Sequence, residues 1–302
     1  MKAEWLERAC PLCGSRAEAR LFAESNVNLA ELDGFAFASR KLPEYMHHRL
    51  GECRSCGMLY ANPVLTVDTL ASAYEAADFD SGDEASYASA TYARHVRKIM
   101  PALPDCRGTL DIGTGDGVFL DALLKLGFQD VRGVEPSKAP VAAAQPHIRP
   151  LITTGFFKAG EFPAGAFSLV TCFQTMEHVS APLETAQAAH ELLKPKGAFL
   201  IVVHNRKSFS AKVLGRKSPI FDIEHLQLFC PSTARQLLER AGFENVVVRP
   251  LWNRYPLHYW MKLFPFPAGF KRSVLPGLRR SWIGRMVLPL PAGNLICVGF
   301  KG

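Results

Sequence analysis

A glycine-rich stretch in the first half of the chain has the residues best suited to bind a nucleotide-like ligand. It reads Thr-Leu-Asp-Ile-Gly-Thr-Gly-Asp-Gly over residues 109–117 and contains Gly113, Gly115 and Gly117. An apolar run precedes it and helix-spaced apolar residues follow, which predicts a strand, a glycine loop and a helix. Glycine allows close backbone approaches that a Cβ atom blocks. The unpaired amides at a helix start also suit a polar ligand.

A second apolar run ends in Glu135, eighteen residues after Gly117. In nucleotide-binding α/β folds, an acid at that strand end accepts hydrogen bonds from the two ribose hydroxyls. A glycine loop alone is weak evidence, because turns and helix caps also use glycine. The spacing to Glu135 is therefore what favours a ligand site.

Four cysteines form two Cys-x-x-Cys-Gly pairs, Cys10 with Cys13 and Cys53 with Cys56. Two intervening residues let both thiolates of a pair reach one ion. Four thiolates at about 2.3 Å form a closed, tetrahedral structural zinc site. The alternatives are coincidence or a redox pair, and two matched pairs favour zinc. Six other residues are expected in the core: Cys106, Cys172, Cys230, Cys297, His47 and His48. A lesser alternative is that one of these two histidines faces the substrate.

Composition limits the class of protein. The 302 residues are 48% hydrophobic and 21% charged, which is typical of globular proteins. No run approaches the roughly 18 apolar residues of a membrane span. The start of the chain lacks the apolar segment of a secretory signal, so we expect a cytoplasmic location. There, eight cysteines indicate metal or core roles rather than disulfides.

Strands and helices are predicted to alternate from residue 107 onward. The predicted strands cover residues 108–112, 131–135, 150–153, 167–173, 198–204, 245–249 and 294–300, and the predicted helices cover residues 117–126, 137–144, 183–193 and 232–241. This alternation predicts a parallel sheet with helices on both faces and ligands at the carboxyl ends of the strands. Upstream, we expect helices over residues 67–77 and 84–100 with a loop over residues 78–83 between them.

These motifs resemble those of class I S-adenosylmethionine-dependent methyltransferases. The spacing Asp111-x-Gly113-x-Gly115-x-Gly117 with Glu135 is similar to the family's first two motifs, whereas a dinucleotide site usually reads G-x-G-x-x-G. Further matches follow in order at residues 167–179, 192–203, 224–229 and 237–243. The resemblance covers about residues 109–248. It implies an α/β fold with a Rossmann-like, seven-stranded sheet, helices on both faces and an antiparallel last strand.

The resemblance also implies that S-adenosylmethionine lies across the loops at the strand ends. Asp111 is expected to organise the loop and the methionine ammonium, and Glu135 to accept from the ribose hydroxyls. Pro136 and Ser137 are expected to flank the adenine. The full expected cofactor set is Asp111, Gly113, Thr114, Gly115, Gly117, Glu135, Pro136, Phe156, Phe157 and Gln174. Related enzymes cover the cofactor with tyrosines that precede the first motif. The candidates here are Tyr74, Tyr87 and Tyr92, and simple helix packing is the alternative.

Candidate general bases follow the predicted fourth and fifth strands. Methyl transfer from a sulfonium needs in-line alignment and, for a hydroxyl acceptor, a base. The ubiquinone-pathway O-methyltransferases resemble this segment and carry a Glu-x-x-Glu-His metal site. Here Gln174 replaces the first glutamate, and a neutral amide is a weaker Mg²⁺ ligand, which disfavours a catalytic metal. The candidate bases are Glu177, His178, His204 and His225.

Positive charge is concentrated at the C-terminal end. The net charge is +7, and residues 245–302 hold nine Lys/Arg and no acid, while the other 244 residues hold 26 basic and 28 acidic residues. Residues 251–291 interleave aromatic residues with these cations. One interpretation is a cover packed over the substrate, and the other is an amphipathic surface for an anionic membrane. A nucleic-acid groove would use similar residues, but nothing else supports one. Tyr255, Tyr259 and Trp260 have helical spacing. Three prolines are expected to break this helical pattern into short pieces: Pro265, Pro267 and Pro276.

The sequence therefore predicts three parts: a zinc-ribbon-like module over residues 1–62, linker and lid helices over residues 63–104, and a methyltransferase domain over residues 105–302. The favoured function is methylation of a small-molecule, glycan or lipid-linked acceptor, with O-methylation ahead of C- or N-methylation. The alternatives are a catalytically silent binding module and a C-methyltransferase of a nucleotide sugar. The expected location is cytoplasmic, with peripheral contact at the inner membrane face through residues 251–291.

Overall fold

The computed structural model describes residues 5–28, 46–66, 82–264 and 266–302. The predicted helix over residues 67–77, Tyr74 and most of the loop predicted at residues 78–83 lie outside these ranges, as does Pro265. The last two residues of that predicted loop belong instead to the first described helix.

Short strands form the N-terminal part. Strand β1 (Trp5–Leu6) pairs with β5 (Val64–Leu65) in a two-stranded antiparallel sheet. Strands β2 (Arg20–Ala23), β3 (Leu50–Glu52) and β4 (Leu59–Ala61) pair antiparallel in a second sheet.

Strands and helices then alternate as predicted. The described helices are α1 (Gly82–Ile99), α2 (Val118–Lys125), α3 (Lys138–Ala143), α4 (Pro182–Leu192), α5 (Phe209–Leu214), α6 (Pro231–Arg240), α7 (Leu257–Leu263) and α8 (Ala268–Arg280). The strands are β6 (Arg107–Ile112), β7 (Gln129–Glu135), β8 (Ile152–Thr154), β9 (Phe167–Phe173), β10 (Leu193–His204), β11 (Gln227–Leu228), β12 (Glu244–Pro256) and β13 (Val287–Phe300).

Seven of these strands form the main sheet in the order β12-β13-β10-β9-β6-β7-β8. Strands β10, β9, β6, β7 and β8 run parallel, and β13 is inserted antiparallel between β10 and β12. This confirms the predicted seven-stranded sheet with an antiparallel last strand. The order also brings the carboxyl ends of β6, β7, β9 and β10 to one edge of the sheet.

The central strand β10 shows why the sheet is covered on both faces. Its residues from Ala198 to Val203 are apolar and almost completely buried. Because side chains alternate across a strand, Phe199, Ile201 and Val203 join one hydrophobic cluster. Their neighbours Ala198, Leu200 and Val202 join the other. Burial of each large side chain contributes about 1.5–3 kcal/mol, so this unbroken run anchors both helical layers.

The N-terminal strands contact the rest of the chain at several points. Strand β11, which lies between β10 and β12 in the chain, pairs antiparallel with β4 and completes a four-stranded sheet in the order β11-β4-β3-β2. The Arg8 guanidinium donates to the carbonyls of Ala61, Ser180 and Leu226. Leu12 and Met58 also belong to the same hydrophobic cluster as β9 and β10. The short strands therefore pack on the main sheet, and their own hydrophobic cluster also includes Phe221, Leu226 and Leu228.

The C-terminal strands are much longer than predicted. Beyond residue 251, residues 252–256 of β12 pair with residues 287–291 of β13 as a two-stranded ribbon. Tyr255 therefore lies in a strand, which corrects its predicted helical placement, and only Tyr259 and Trp260 are helical. The prolines in this part of β13 remove no ladder bond toward β10, because β10 ends at the pair His204–Asn294. Pro276 lies inside α8 and does not end it, contrary to the prediction.

Candidate functional site

The Glu135 carboxylate connects two loops at the strand-end edge. One oxygen accepts the Gly115 amide at 2.8 Å and the other accepts the Ser137 amide at 2.9 Å. The side chain is buried, and this burial raises the pKa of Glu135 while the two amides oppose the shift. The glycine loop after β6 and the turn after β7 are thus held together by one carboxylate. Each oxygen keeps acceptor capacity beyond the amide that it binds.

The three glycines of the loop have different surroundings. A Cβ atom on Gly113 would lie 2.3 Å from the Thr175 hydroxyl, and one on Gly117 would lie 2.4 Å from Ile148. At Gly115 a Cβ atom would meet no protein atom within 4 Å. Packing inside the protein therefore requires glycine at positions 113 and 117. Gly115 instead presents open backbone with φ +60°, which forms a cradle that a ligand can approach.

Asp111 is the last residue but one of β6 and is buried. The Thr171 hydroxyl donates to its carboxylate at 2.6 Å. Burial nevertheless raises the pKa of Asp111 to about 7, because this hydrogen bond only partly offsets the desolvation of the charge. None of the ion pairs in the described segments involves Asp111, so the carboxyl group would gain from a ligand ammonium.

The other residues predicted to contact the cofactor have different surroundings. Pro136 lies between Glu135 and Ser137, and the Thr114 amide donates to the Val134 carbonyl at 3.0 Å. The ring of Phe156 is 40% exposed. Phe157 instead stacks on Phe162 and packs against the core.

Gln174 and the two described tyrosines of α1 belong to packed contacts. The Gln174 amide donates to the Tyr92 hydroxyl at 3.0 Å, and the Tyr92 ring lies 4.2 Å from that of Phe173. Tyr87 contacts Tyr255 and Tyr259 at ring distances of 6.3 and 6.2 Å. In this structure both tyrosines pack against other elements, as the helix-packing interpretation requires.

Three histidines from separate segments form what we call the histidine rim: His178, His204 and His225. The rings of His178 and His225 lie 4.9 Å apart, and those of His204 and His225 lie 5.1 Å apart. His204 Nδ1 lies 2.8 Å from Asn294 Oδ1, and His225 Nδ1 lies 2.7 Å from the Ile220 carbonyl. Both partners are acceptors, which assigns the proton to Nδ1 and the lone pair to Nε2 in the neutral rings. Two imidazoles are thus oriented to accept a proton through Nε2.

Glu177 lies beneath the rim. It is completely buried, and one carboxylate oxygen accepts the His204 amide at 2.5 Å. Its own carbonyl accepts the Leu226 amide at 2.9 Å. Burial raises the pKa of Glu177, while the nearby His204 lowers it. The second carboxylate oxygen is buried without a hydrogen-bond partner in the described part of the chain.

The four cysteines of the two pairs converge at one point. Cys10 Sγ lies 3.5 Å from Cys56 Sγ, Cys13 Sγ lies 3.6 Å from Cys53 Sγ, and all four sulfur atoms lie within 4.8 Å of one another. Tetrahedral Zn–S bonds of about 2.3 Å imply sulfur separations of about 3.8 Å, so the group fits zinc. Within residues 5–28, 46–66, 82–264 and 266–302, no other cluster of three or more His, Cys, Asp or Glu has this geometry.

Sequence reasoning missed several partners of these residues. Thr171, Thr175 and Asn294 lie far along the chain from Asp111, Gly113 and His204, which they contact. Asn294 had a usable signal, because it begins the predicted last strand and antiparallel pairing with β10 places it opposite His204.

Comparison with known proteins agrees with this architecture. A family model described as a methyltransferase domain matches residues 85–248, which is more than half of the chain. The chain belongs to this methyltransferase family. It is a class I, S-adenosylmethionine-dependent enzyme.

Named relatives match parts of this methyltransferase. A ubiquinone biosynthesis O-methyltransferase of Pseudomonas aeruginosa is 34% identical over 115 residues, which is 35% of this chain and 49% of that protein. Its counterpart in Acinetobacter baylyi is 26% identical over 167 residues, covering 50% and 70%. The chain thus spans about half the length of the first relative. Among solved structures, an S-adenosylmethionine-dependent methyltransferase from Thermotoga maritima is 19% identical and covers 72% of this chain and 91% of its own, with a TM-score of 0.47.

The glycine surroundings give a paired prediction. Gly113→Ala should lower the free energy of unfolding of the methyltransferase by about 2–4 kcal/mol, because a positive φ and the Thr175 clash both oppose the new methyl group. Gly115→Ala should cost about 1–2 kcal/mol from its φ alone but weaken S-adenosylhomocysteine binding. Denaturation and titration calorimetry measure the two effects. Wild-type affinity in Gly115→Ala would show that the open cradle is not the ligand site.

Proposed function

We propose that this methyltransferase methylates a hydroxyl group of a small-molecule, glycan or lipid-linked acceptor, and that the histidine rim supplies the general base. The observation that carries the proposal is the rim geometry: His178, after β9, and His204, at the end of β10, both lie beside His225, with ring separations of 4.9 and 5.1 Å. The parallel strands put this rim at the same sheet edge as Asp111 and Glu135. A base beside the cofactor loops suits deprotonation of a hydroxyl.

S-adenosylmethionine supplies the methyl group on an activated sulfonium. We infer that Asp111 binds its ammonium, Glu135 accepts from its ribose hydroxyls and Gly115 lets it approach the backbone. The support is the open space at Gly115, together with two buried carboxyl groups whose raised pKa values favour a cationic or hydrogen-bonding partner. We infer that the Phe156 ring, which is 40% exposed, contacts the adenine.

His204 is the better placed base of the rim. Asn294 accepts from Nδ1–H and continues to do so after Nε2 takes a proton, so the ring keeps its orientation. An ionised Glu177 would stabilise the imidazolium, since the two groups interact electrostatically. Because Glu177 is fully buried and bonded to the His204 amide, we assign it a positioning role instead of the role of base.

The named relatives are ubiquinone biosynthesis O-methyltransferases, which supports O-methylation over C- or N-methylation. Analysis of the methylated product distinguishes the three. A nucleotide sugar methylated at carbon would replace the O-methylation proposal.

The raised pKa of Asp111 predicts a pH dependence of cofactor binding. In the ligand-free protein the Asp111 carboxyl group has a pKa of about 7. Binding of an ammonium needs the ionised carboxylate, so below that pH ligand binding releases a proton. Affinity for S-adenosylhomocysteine should therefore fall by up to about tenfold per pH unit as the pH drops below 7. Calorimetry between pH 5.5 and 8 tests this, with the pH slope expected to shrink in Asp111→Asn. An unchanged slope in that variant would contradict the assignment.

Removal of the proposed base gives a second prediction. His204→Gln should lower kcat about 10²–10⁴-fold and leave S-adenosylhomocysteine affinity unchanged. Measurement requires an acceptor, which a screen with mass-shift detection supplies. His190→Gln is the matched control. His190 lies on α4 and packs against Phe243, away from the rim. Normal turnover in both His204→Gln and His225→Gln would exclude a base from the rim.

We also propose that the four cysteines hold one structural zinc ion. Metal analysis should find about one zinc per chain in the purified protein, and Cys53→Ser should lower both zinc content and thermal stability. Cys106→Ser is the control, since Cys106 is only partly buried and lies outside the cluster. A zinc-free protein that is equally stable in chelator would refute the assignment.

A further inference from the structure

A cationic pocket of about 490 Å³ lies between α1 and the ribbon. Helix α1 contributes Arg94, Arg97 and Lys98, and the ribbon contributes Trp252, Arg254 and Pro289. Among the residues that the structure describes, no acidic one lines the pocket. Concentration of three or more cations without a carboxylate makes it suited to an anion.

The ribbon side of the pocket has an unsatisfied donor. Arg254 is held by its backbone amide, which donates to the Thr91 hydroxyl at 3.3 Å. Its side-chain Nε is buried and lacks a hydrogen-bond partner within the described segments. The ion pairs found in those segments also include none with Arg94, Arg97, Lys98 or Arg254. A buried donor without a partner is unfavourable, and an anionic oxygen in the pocket would satisfy it.

The tip of the ribbon carries residues 257–264 and 266–286, which include helices α7 and α8 and which we call the cap. Large apolar side chains of the cap and its flanks face outward, with Trp282 76% and Phe264 60% exposed. Others are Trp252, Leu263, Phe270, Ile283 and Met286. Tyr255 and Tyr259, by contrast, are buried. A cover closed over a substrate would bury most of its aromatic residues, whereas four of the eight aromatic residues in 251–291 are exposed here.

Charge and apolar exposure coincide in this region. The cap cations are Lys262, Lys271, Arg272, Arg279, Arg280 and Arg285, and no acid occurs in residues 245–302. Exposed apolar residues mark interaction sites. Tryptophan and phenylalanine beside lysine and arginine are typical of surfaces that lie in the headgroup region of anionic membranes.

We propose that the cationic pocket binds the phosphate of an anionic lipid headgroup while the exposed aromatic side chains of the cap enter the membrane interface. Charge complementarity selects an anionic partner, and the apolar side chains select a lipid surface over a soluble phosphate. No described helix is long and apolar enough to cross a membrane, so the contact is peripheral. The proposal does not depend on which acceptor atom is methylated.

The register of β13 relates this surface to the active-site edge. Asn294 pairs with His204 at the end of β10, and residues 287–291 of β13 continue past that end to the cap. The cap therefore extends from the same edge of the sheet as the histidine rim. Docking through the cap would hold that edge close to acceptors dissolved in, or linked to, the lipid.

Vesicle co-sedimentation of the full chain tests the proposal. Vesicles that mix phosphatidylcholine with phosphatidylglycerol should retain about tenfold more protein at low salt than vesicles of phosphatidylcholine alone, since each basic residue near an anionic surface is favourable. High salt should remove the difference because it screens the charges. Equal retention on both vesicles at low salt would overturn the proposal.

Matched variants locate the contact. Arg97→Glu/Lys98→Glu, in the last turn of α1, should abolish the preference for anionic vesicles. Arg16→Glu/Arg240→Glu changes the net charge equally at exposed sites outside the pocket and should keep the preference. Equal loss in both pairs would indicate general charge attraction and overturn the assigned site.

Two further arms separate the lipid from a soluble anion. Phe264→Ala/Trp282→Ala leaves the charge unchanged and should reduce retention several-fold. Calorimetry with inorganic phosphate should show at most weak binding. Phosphate binding that is lost in Arg97→Glu/Lys98→Glu, without vesicle retention, would identify a soluble phosphate site and overturn the membrane proposal. Circular dichroism checks that every variant is folded.

Discussion

The buried residue Glu177 connects the main sheet to the segment that joins the N-terminal sheet. Its carboxylate accepts the His204 amide at the end of β10, and its carbonyl accepts the Leu226 amide just before β11. Strand β11 then completes the N-terminal sheet. A buried carboxylate opposes folding unless hydrogen bonds hold it, and the raised pKa of Glu177 reflects that cost. Such a residue is explained by the position that it gives to the rim and to β11.

This connection links the cysteine cluster to the histidine rim. Cys53 and Cys56 lie between β3 and β4, and β4 is the strand that pairs with β11. His225 precedes β11 by two residues, so anything that fixes β4 also limits the movement of the His225 ring. The N-terminal sheet therefore supports the position of the histidine rim.

The sequence predicted features that depend on local pattern. Alternating apolar runs gave the strand and helix order, and resemblance to a known family gave the antiparallel last strand. Long-range packing was not predictable in the same way. The different requirements at Gly113 and Gly115 depend on Thr175, about sixty residues later. Strand β11 has only two residues, and the ribbon contains Pro289 and Pro291, which ordinarily argue against a strand. Those prolines are tolerated because that part of β13 has β12 alone as its partner.

Strand β13 contacts both the histidine rim and the cap. β13 supplies Asn294, whose oxygen accepts from His204 Nδ1, and seven residues earlier it begins at the base of the cap. Side chains alternate along a strand, so a one-residue slip of β13 would turn Asn294 to the opposite face. Pairing of residues 287–291 with β12 and of residues 294–300 with β10 opposes such a slip on both sides. The length of the ribbon therefore does more than carry the cap, because it also fixes the register on which the orientation of His204 depends.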